Sequence, residues 1–142
     1  MSTEQKYGLE SCANLAAAST SFGGRDGASP DLENAQILII PVPYDATTTY
    51  MPGTRQGPGA ILRASQQLEL FDEETGQEVF RAGIATLEEM EVDASNPSAM
   101  VDKVRSLGEK TLDIGLFPLM LGGEHLLSLG MIQAMAGRVD DL

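Results

Sequence analysis

The sequence has 142 residues, of which 42% are hydrophobic and 21% charged, as is typical of one soluble globular domain and not of a disordered or fibrous chain. The net charge of −12 and the scattered placement of the 9 basic residues argue against a nucleic-acid partner, and no apolar run is long enough to span a membrane. A single cysteine, Cys12, and the lack of a secretory signal pattern predict a cytoplasmic protein without internal disulfides.

Residues 1–35 are predicted to form an N-terminal arm. Glycine, serine and proline cluster between positions 22 and 30, which indicates irregular structure. We expect one short helix around residues 10–18. Arms of this kind often lie on a neighbouring subunit, although a frayed terminus fits the composition equally well.

Residues 36–142 are predicted to form an α/β domain, beginning with a strand at 36–42. This run is apolar and β-branched without interruption, which favours a strand covered on both faces. Pro41 and Pro43 lack backbone N–H donors and should end it. A loop follows over residues 44–57, and Pro58 suits the first turn of a helix that runs to about residue 70.

The second half of the domain continues the alternation of strands and helices. Residues 80–87 indicate a second strand or a hairpin, and Asn96-Pro97 opens a helix whose apolar positions recur at helical spacing as far as residue 112. Gly115 is its natural stop. A buried strand at 117–121 and a helix at about 126–136 complete the pattern, which predicts a mainly parallel sheet with helices on its faces.

The sheet predicted from these residues is incomplete. Parallel strands normally need neighbours on both edges, and two or three strands would leave a long apolar edge open. We therefore expect the chain to be part of a longer fold.

Two segments follow strand ends and carry polar groups, and ligand sites of parallel sheets lie at such ends. Tyr44 and Asp45 follow the first strand; Glu124 and His125 follow the last. His125 is the only histidine, and imidazole is both a common metal ligand and an acid–base group. A structural or surface role is the alternative reading for it. Asp45 would then cap the turn after its strand, and Glu124 would be stabilised by the dipole at a helix N-terminus.

Two motifs stand out in the sequence: residues 40–50 read IPVPYDATTTY and are followed by PGTRQGP at 52–58, and residues 121–125 read LGGEH. They resemble signatures of the agmatinase-type ureohydrolases of the arginase family, and the second is similar to the family's Gly-Gly-Asp/Glu-His motif. The resemblance covers residues 36–142, and its two motifs stand in the expected order.

The resemblance implies a three-layer α/β/α fold and hydrolysis of agmatine to putrescine and urea, a step of polyamine biosynthesis. It implies a binuclear manganese site whose hydroxide attacks the guanidinium carbon. His125 would be the first metal ligand in chain order, Glu124 would help to orient the site without binding metal, and Tyr44 and Asp45 would lie on the substrate rim. A small guanidino substrate and, at full length, a homo-oligomer are the implied partners.

The sequence departs from the family pattern at several positions. Met51 and Leu62 stand where many relatives carry arginine, with Arg63 one position later, and Leu126 stands where serine often follows the histidine. The family's later metal-binding segments are absent from these residues, so we expect the chain alone to be inactive and marginally folded. Two alternatives stay open: a non-catalytic paralogue that binds a full-length relative, and a ureohydrolase for guanidinobutyrate or arginine.

Overall fold

The computed structural model describes residues 20–27 and 32–138, so the predicted helix at 10–18 lies outside the described residues. The elements are helix α1 (Gly24–Gly27), strand β1 (Ile37–Val42), a 3-10 turn (Thr54–Gln56), helix α2 (Gly57–Ser65), a second 3-10 turn (Val79–Ala82), strand β2 (Ile84–Thr86), helix α3 (Pro97–Asp113), strand β3 (Phe117–Gly122) and helix α4 (Leu126–Ala136). Within these ranges, no helix is long and apolar enough to cross a bilayer.

The three strands form one parallel sheet in the order β2-β1-β3. Ile37 of the central strand lies opposite Ile84 on one side and Phe117 on the other, and the register continues to Val42 opposite Gly122. The predicted parallel sheet is therefore confirmed, as are the positions of β1, β3, α3 and α4. Because all strands run the same way, their carboxyl ends lie at one edge of the sheet.

Helices cover both faces of the sheet, which confirms the three-layer α/β/α arrangement. On one face, alternate residues of β1 (Leu38, Ile40 and Val42) pack with residues of α3 and α4, including Met100, Val104 and Leu127. On the other face, Ile39 and Ile84 pack against Leu62 of α2. Since every residue of β1 after Ile37 is buried, its unbroken apolar sequence has a direct structural reason.

The prediction of a buried β3 was wrong for its α2-facing side. Phe117 and Leu119 are 57% and 37% exposed. β3 is an edge strand in the described part of the chain, and α2 covers this face of it only in part. The N–H of Phe117 donates to the carbonyl of Gln36 (2.8 Å), so alternation along the strand directs the Pro118 backbone towards the open edge. Proline, without an N–H, is common on such edges.

Helix α2 ends at Ser65, five residues before the predicted end at residue 70. The buried Ser65 hydroxyl donates to the Leu62 carbonyl (2.7 Å) and accepts from the Gly23 N–H (3.1 Å). The following N–H groups of Gln67 and Leu68 bond three residues back, as in a 3-10 turn, rather than four. Serine thus competes with the helical pattern and closes the helix early.

The strand predicted over residues 80–87 is confirmed in its second half only, and the hairpin alternative is wrong. Residues 79–82 form a 3-10 turn, and only Ile84–Thr86 form a strand, which pairs in parallel with β1. Gly83 separates the two with a φ of 83°, and a Cβ atom there would lie 2.0 Å from the Asn34 carbonyl oxygen. Only glycine fits this turn, which starts β2 in the register of β1.

Helices α3 and α4 approach each other through small residues. The side chain of Asn96 caps α3 by accepting from the Ala99 N–H (3.0 Å), and Pro97 occupies the first turn, as predicted. A Cβ atom on Gly130 of α4 would lie 2.5 Å from the Val101 carbonyl oxygen of α3. This close contact fixes the helix that begins directly after His125.

Candidate functional site

The segments that follow the three strands meet at the carboxyl edge of the sheet. Residues 43–45 follow β1, residues 87–89 follow β2, and residues 123–125 follow β3. The pairing of β1 continues beyond β2, because the N–H groups of Leu87 and Met90 donate to the carbonyls of Ile39 and Pro41 (both 2.9 Å). In parallel sheets this edge is where ligands bind.

His125 lies at this edge, between the end of β3 and the first turn of α4. It occupies the N-cap position with helical φ and ψ, and its carbonyl accepts from the Ser128 N–H (3.0 Å). The residue is exposed. Among residues 20–27 and 32–138, no hydrogen bond or ion pair engages its imidazole, which leaves both ring nitrogens available. The structure therefore places His125 where the sequence predicted.

Gly123 brings the end of β3 against the backbone that follows β1. A Cβ atom at this position would lie 2.1 Å from the carbonyl oxygen of Tyr44 and 2.9 Å from its carbonyl carbon. Any side chain would force the two segments apart, since contacts below 3.0 Å with backbone cannot be relieved by a rotamer change. The glycine pair of the motif is thus required by space at its second position.

The carboxylate of Glu124 is held by the loop that follows β1. Its Oε1 accepts a hydrogen bond from the Thr47 N–H at 3.2 Å, across 77 residues of sequence. Glu124 therefore has a specific hydrogen-bond partner in addition to the helix dipole that was considered from the sequence. Sequence reasoning could not have found this bond, because nothing local to either residue signals the other.

Asp45 closes the base of the same loop. Its Oδ2 accepts from the Gly53 N–H (2.7 Å) and the Arg55 N–H (3.4 Å), and its Oδ1 accepts from the Arg55 guanidinium (3.1 Å). Burial alone would raise the pKa of the Asp45 carboxyl, but the Gly53 N–H and the Arg55 donors and charge outweigh it and lower the pKa. The alternative reading, in which Asp45 shapes the turn, thus has direct geometric support.

Tyr44 is buried in the main hydrophobic cluster, with 1% of its surface exposed. Its hydroxyl has no hydrogen-bond partner among the described residues. Burial first, and then the carboxylates of Glu124 and Asp93, raise the pKa of this phenol. Because Tyr44 and Asp45 are both buried, the structure places neither on an open rim, and any contact of theirs with a substrate stays a prediction.

The described residues do not form a metal site by themselves. No group of three or more histidine, cysteine, aspartate or glutamate side chains lies within metal-binding reach of one another in residues 20–27 and 32–138. The Glu124 and Asp45 carboxylates accept hydrogen bonds from backbone donors, whereas the imidazole of His125 has no hydrogen bond to the described residues. A single imidazole fits one ligand position of a metal centre and no more.

Two adjoining clefts, of about 500 and 430 Å³, open beside α2 and were not anticipated from the sequence. They share Gly59, Arg63 and Glu89 in their walls. His125 lines neither cleft. Arg63 and Glu89 are 26 residues apart in the sequence, and no local pattern indicates that both line these clefts.

The chain is similar to known proteins over most of its length. The model of the arginase family matches residues 35–142. The N(1)-aminopropylagmatine ureohydrolase of a Synechocystis species is 36% identical over 107 residues, covering 72% of this chain and 35% of that protein. The agmatinase of Bacillus anthracis is 34% identical over 113 residues, covering 80% of this chain and 39% of that protein.

A solved structure supports the same relationship. The agmatine ureohydrolase of Thermoplasma volcanium superposes with a TM-score of 0.71 at 30% identity, covering 76% of this chain and 36% of that one. The chain thus spans little more than a third of the length of each of these three proteins.

Proposed function

This chain belongs to the arginase family, and we propose that it contributes His125 as a metal ligand to a hydrolase that cleaves guanidino groups. The proposal rests on the environment of His125. The residue is exposed at the carboxyl edge of the sheet, next to a helix N-terminus, and its imidazole has no hydrogen bond in the described part of the chain. The Glu124 and Asp45 carboxylates accept backbone hydrogen bonds that fix the loop after β1, whereas the His125 imidazole makes no such structural contact with the described residues.

The proposed metal is manganese, in a binuclear site completed by residues outside this chain. A metal pair of this kind supplies a hydroxide at neutral pH. The part of this chain is to hold the imidazole at the sheet edge and to fix the surrounding loops. We expect the 142 residues alone to release no urea, because the described residues bring no three potential metal ligands together. A cytoplasmic location and assembly as a homo-oligomer stay predictions.

Agmatine is the proposed substrate, with putrescine and urea as products. The agmatinase of Bacillus anthracis, which shares 34% of the aligned residues, supports it. N(1)-aminopropylagmatine is the second candidate, because the Synechocystis relative that carries this activity in its name is 36% identical. Both are cations, and the net charge of −12 favours the approach of a cation.

A chimera tests the proposal directly. Residues 35–142 would replace the matching segment of the Bacillus anthracis agmatinase, and urea release would be measured with agmatine, N(1)-aminopropylagmatine, guanidinobutyrate and arginine. We expect manganese-dependent urea release with agmatine, lowered on the order of a hundredfold or more by His125→Ala. A folded chimera that binds manganese and releases urea from none of the four compounds would refute the proposed function.

The matched control is Glu88→Ala, which removes an exposed carboxylate after β2 at the same edge of the sheet. Its urea release should stay within about twofold of the parent chimera, since surface substitutions change stability by roughly 0.5 kcal/mol or less. Equal losses in the histidine variant and the control would indicate a general disturbance of the edge and would count against a specific role of His125.

A further inference from the structure

The two adjoining clefts beside α2 are lined by a guanidinium group and a carboxylate that face each other from different elements. Arg63 reaches the clefts from α2, and Glu89 reaches them from the segment after β2. Neither side chain forms a hydrogen bond or an ion pair with the residues that the structure describes. We propose that the clefts bind a small α-amino acid with an aliphatic side chain, its carboxylate on Arg63 and its ammonium group on Glu89.

A glycine keeps the space between the two charges open. A Cβ atom on Gly59 would lie 3.2 Å from Nη1 of Arg63 and 3.4 Å from Oε1 of Glu89, so both charged tips border the same gap above α2. A carboxylate and an ammonium group on one carbon atom would fill this gap and give each charge a partner. Charge-assisted hydrogen bonds are stronger than neutral ones, and a guanidinium group can bind a carboxylate through two of them.

The larger cleft has an apolar wall next to the charged pair. Leu62 of α2 and Leu87 after β2 line this wall, and both side chains are buried. The cleft volume of about 500 Å³ lies within the range of roughly 300–1,000 Å³ that is usual for small-molecule sites. An aliphatic ligand side chain would contact these leucines while its charged end lies at Gly59.

The position of the arginine follows from the spacing along α2. Gly59, Leu62 and Arg63 are three and four residues apart, so they share the helix face that lines the cleft. Leu62 packs against Ile39 of the sheet, whereas Arg63 is exposed and reaches the cleft. Arg63 stands one position later than the arginine of many relatives, and the site uses none of the residues assigned to guanidino hydrolysis.

Calorimetric titration of the Bacillus anthracis chimera tests the proposal, because residues 35–142 include Gly59, Arg63 and Glu89. Leucine is the probe, and the comparison compounds are 3-methylbutylamine, which lacks the carboxylate of leucine, and 4-methylpentanoate, which lacks its ammonium group. We expect leucine to bind at one site per chain with a Kd on the order of 1 mM or below. Each comparison compound should bind about tenfold more weakly or worse, since it leaves one charge without a partner.

Two variants locate the bound leucine, and Gly59→Ala also separates binding from folding. Alanine favours the helix, while its methyl group enters the gap between the two charges. We expect Gly59→Ala and Arg63→Gln each to weaken leucine binding on the order of tenfold or more, with the Tm of Gly59→Ala no lower than that of the parent. The control Arg81→Gln removes an exposed guanidinium group that lines neither cleft, and leucine binding should stay within about twofold.

Three results would overturn the proposal. The first is a parent chimera that does not bind leucine, and the second is equal binding of leucine and 3-methylbutylamine. The third is unchanged leucine binding in Gly59→Ala or Arg63→Gln, which would place the ligand elsewhere. Because the titration does not depend on catalysis, a chimera that binds leucine but releases no urea would refute the hydrolase and leave this site supported.

Discussion

Replacing Gly130 with alanine tests how closely the helix that carries His125 packs against α3. Alanine is the better helix former by about 1 kcal/mol, so propensity alone predicts a more stable protein. The new Cβ atom, however, would lie 2.5 Å from the Val101 carbonyl oxygen and 2.9 Å from the Cβ of Val104. Neither neighbour can move alone, because one is helix backbone and the other is a stiff β-branched side chain that is 1% exposed.

The size of the effect follows from comparing these two contributions. Overpacking of a well-filled core costs about 1–3 kcal/mol, and the contact at Gly130 belongs at the upper end of that range. After subtraction of the propensity gain, we expect the Gly130→Ala variant to be less stable by about 2 kcal/mol. Gly137, at the end of the same helix, has helical φ and no atom within 4 Å of an added Cβ, so Gly137→Ala should gain up to about 1 kcal/mol.

Thermal unfolding of the two variants is the assay. A difference of about 3 kcal/mol between them corresponds to on the order of 10 °C in Tm for a chain of this size, with Gly130→Ala the lower. Gly108→Ala, whose Cβ would meet that of Ala134 at 2.9 Å and the sulfur of Met131 at 3.1 Å, should fall between them because methionine adapts its shape. A Gly130→Ala protein as stable as the parent would refute the close packing of α3 and α4.

Three further predictions concern single side chains. Asp45→Asn should make the free energy of unfolding less dependent on pH in acid. Because folding lowers the pKa of Asp45, its contribution to that free energy is present above about pH 4 and is lost as the pH falls through the pKa of the folded state. An unchanged acid branch in urea titrations between pH 2 and 7 would contradict this. Asn96→Ala should cost about 1 kcal/mol by removing the cap on the Ala99 N–H, while Asn96→Ser restores most of it; equal midpoints in urea for both would argue against the cap. Leu127→Ala, at a fully buried position, should cost about 2–5 kcal/mol and the exposed Leu129→Ala roughly 0.5 kcal/mol or less; comparable losses in denaturation would show that α4 is packed differently.

The elements that the sequence predicted correctly are those with a strong local pattern. The unbroken apolar run of β1 reflects burial on both faces, and the Asn96-Pro97 start of α3 reflects a cap that is local in sequence. The end of α2 was missed because Ser65 bonds to Gly23, a partner 42 residues away. Sequence alone could not reveal that tertiary contact.

In the candidate site, too, the features with a local sequence signal were predicted and the tertiary contacts were not. The position of His125 followed from the order of strand, glycine pair and helix, all of which are local signals. The hydrogen bond from Thr47 to Glu124 and the burial of Tyr44 depend on how β1 and β3 lie side by side. The sequence pattern predicts that these strands belong to one parallel sheet, but not the distances between the loops that follow them. Contacts between loops at neighbouring strand ends are set by distances of a few tenths of an ångström, which no spacing rule supplies.

The manganese content of the chimera shows whether His125 binds metal. The chimera that carries residues 35–142 would be purified, loaded with manganese, desalted, and compared with its His125→Ala variant by elemental analysis and calorimetric titration. We expect the variant to lose at least one equivalent of bound manganese, or to bind it on the order of a hundredfold more weakly, while Glu88→Ala keeps the full content. An His125→Ala variant with unchanged manganese content and affinity would contradict the assignment of His125 as a metal ligand.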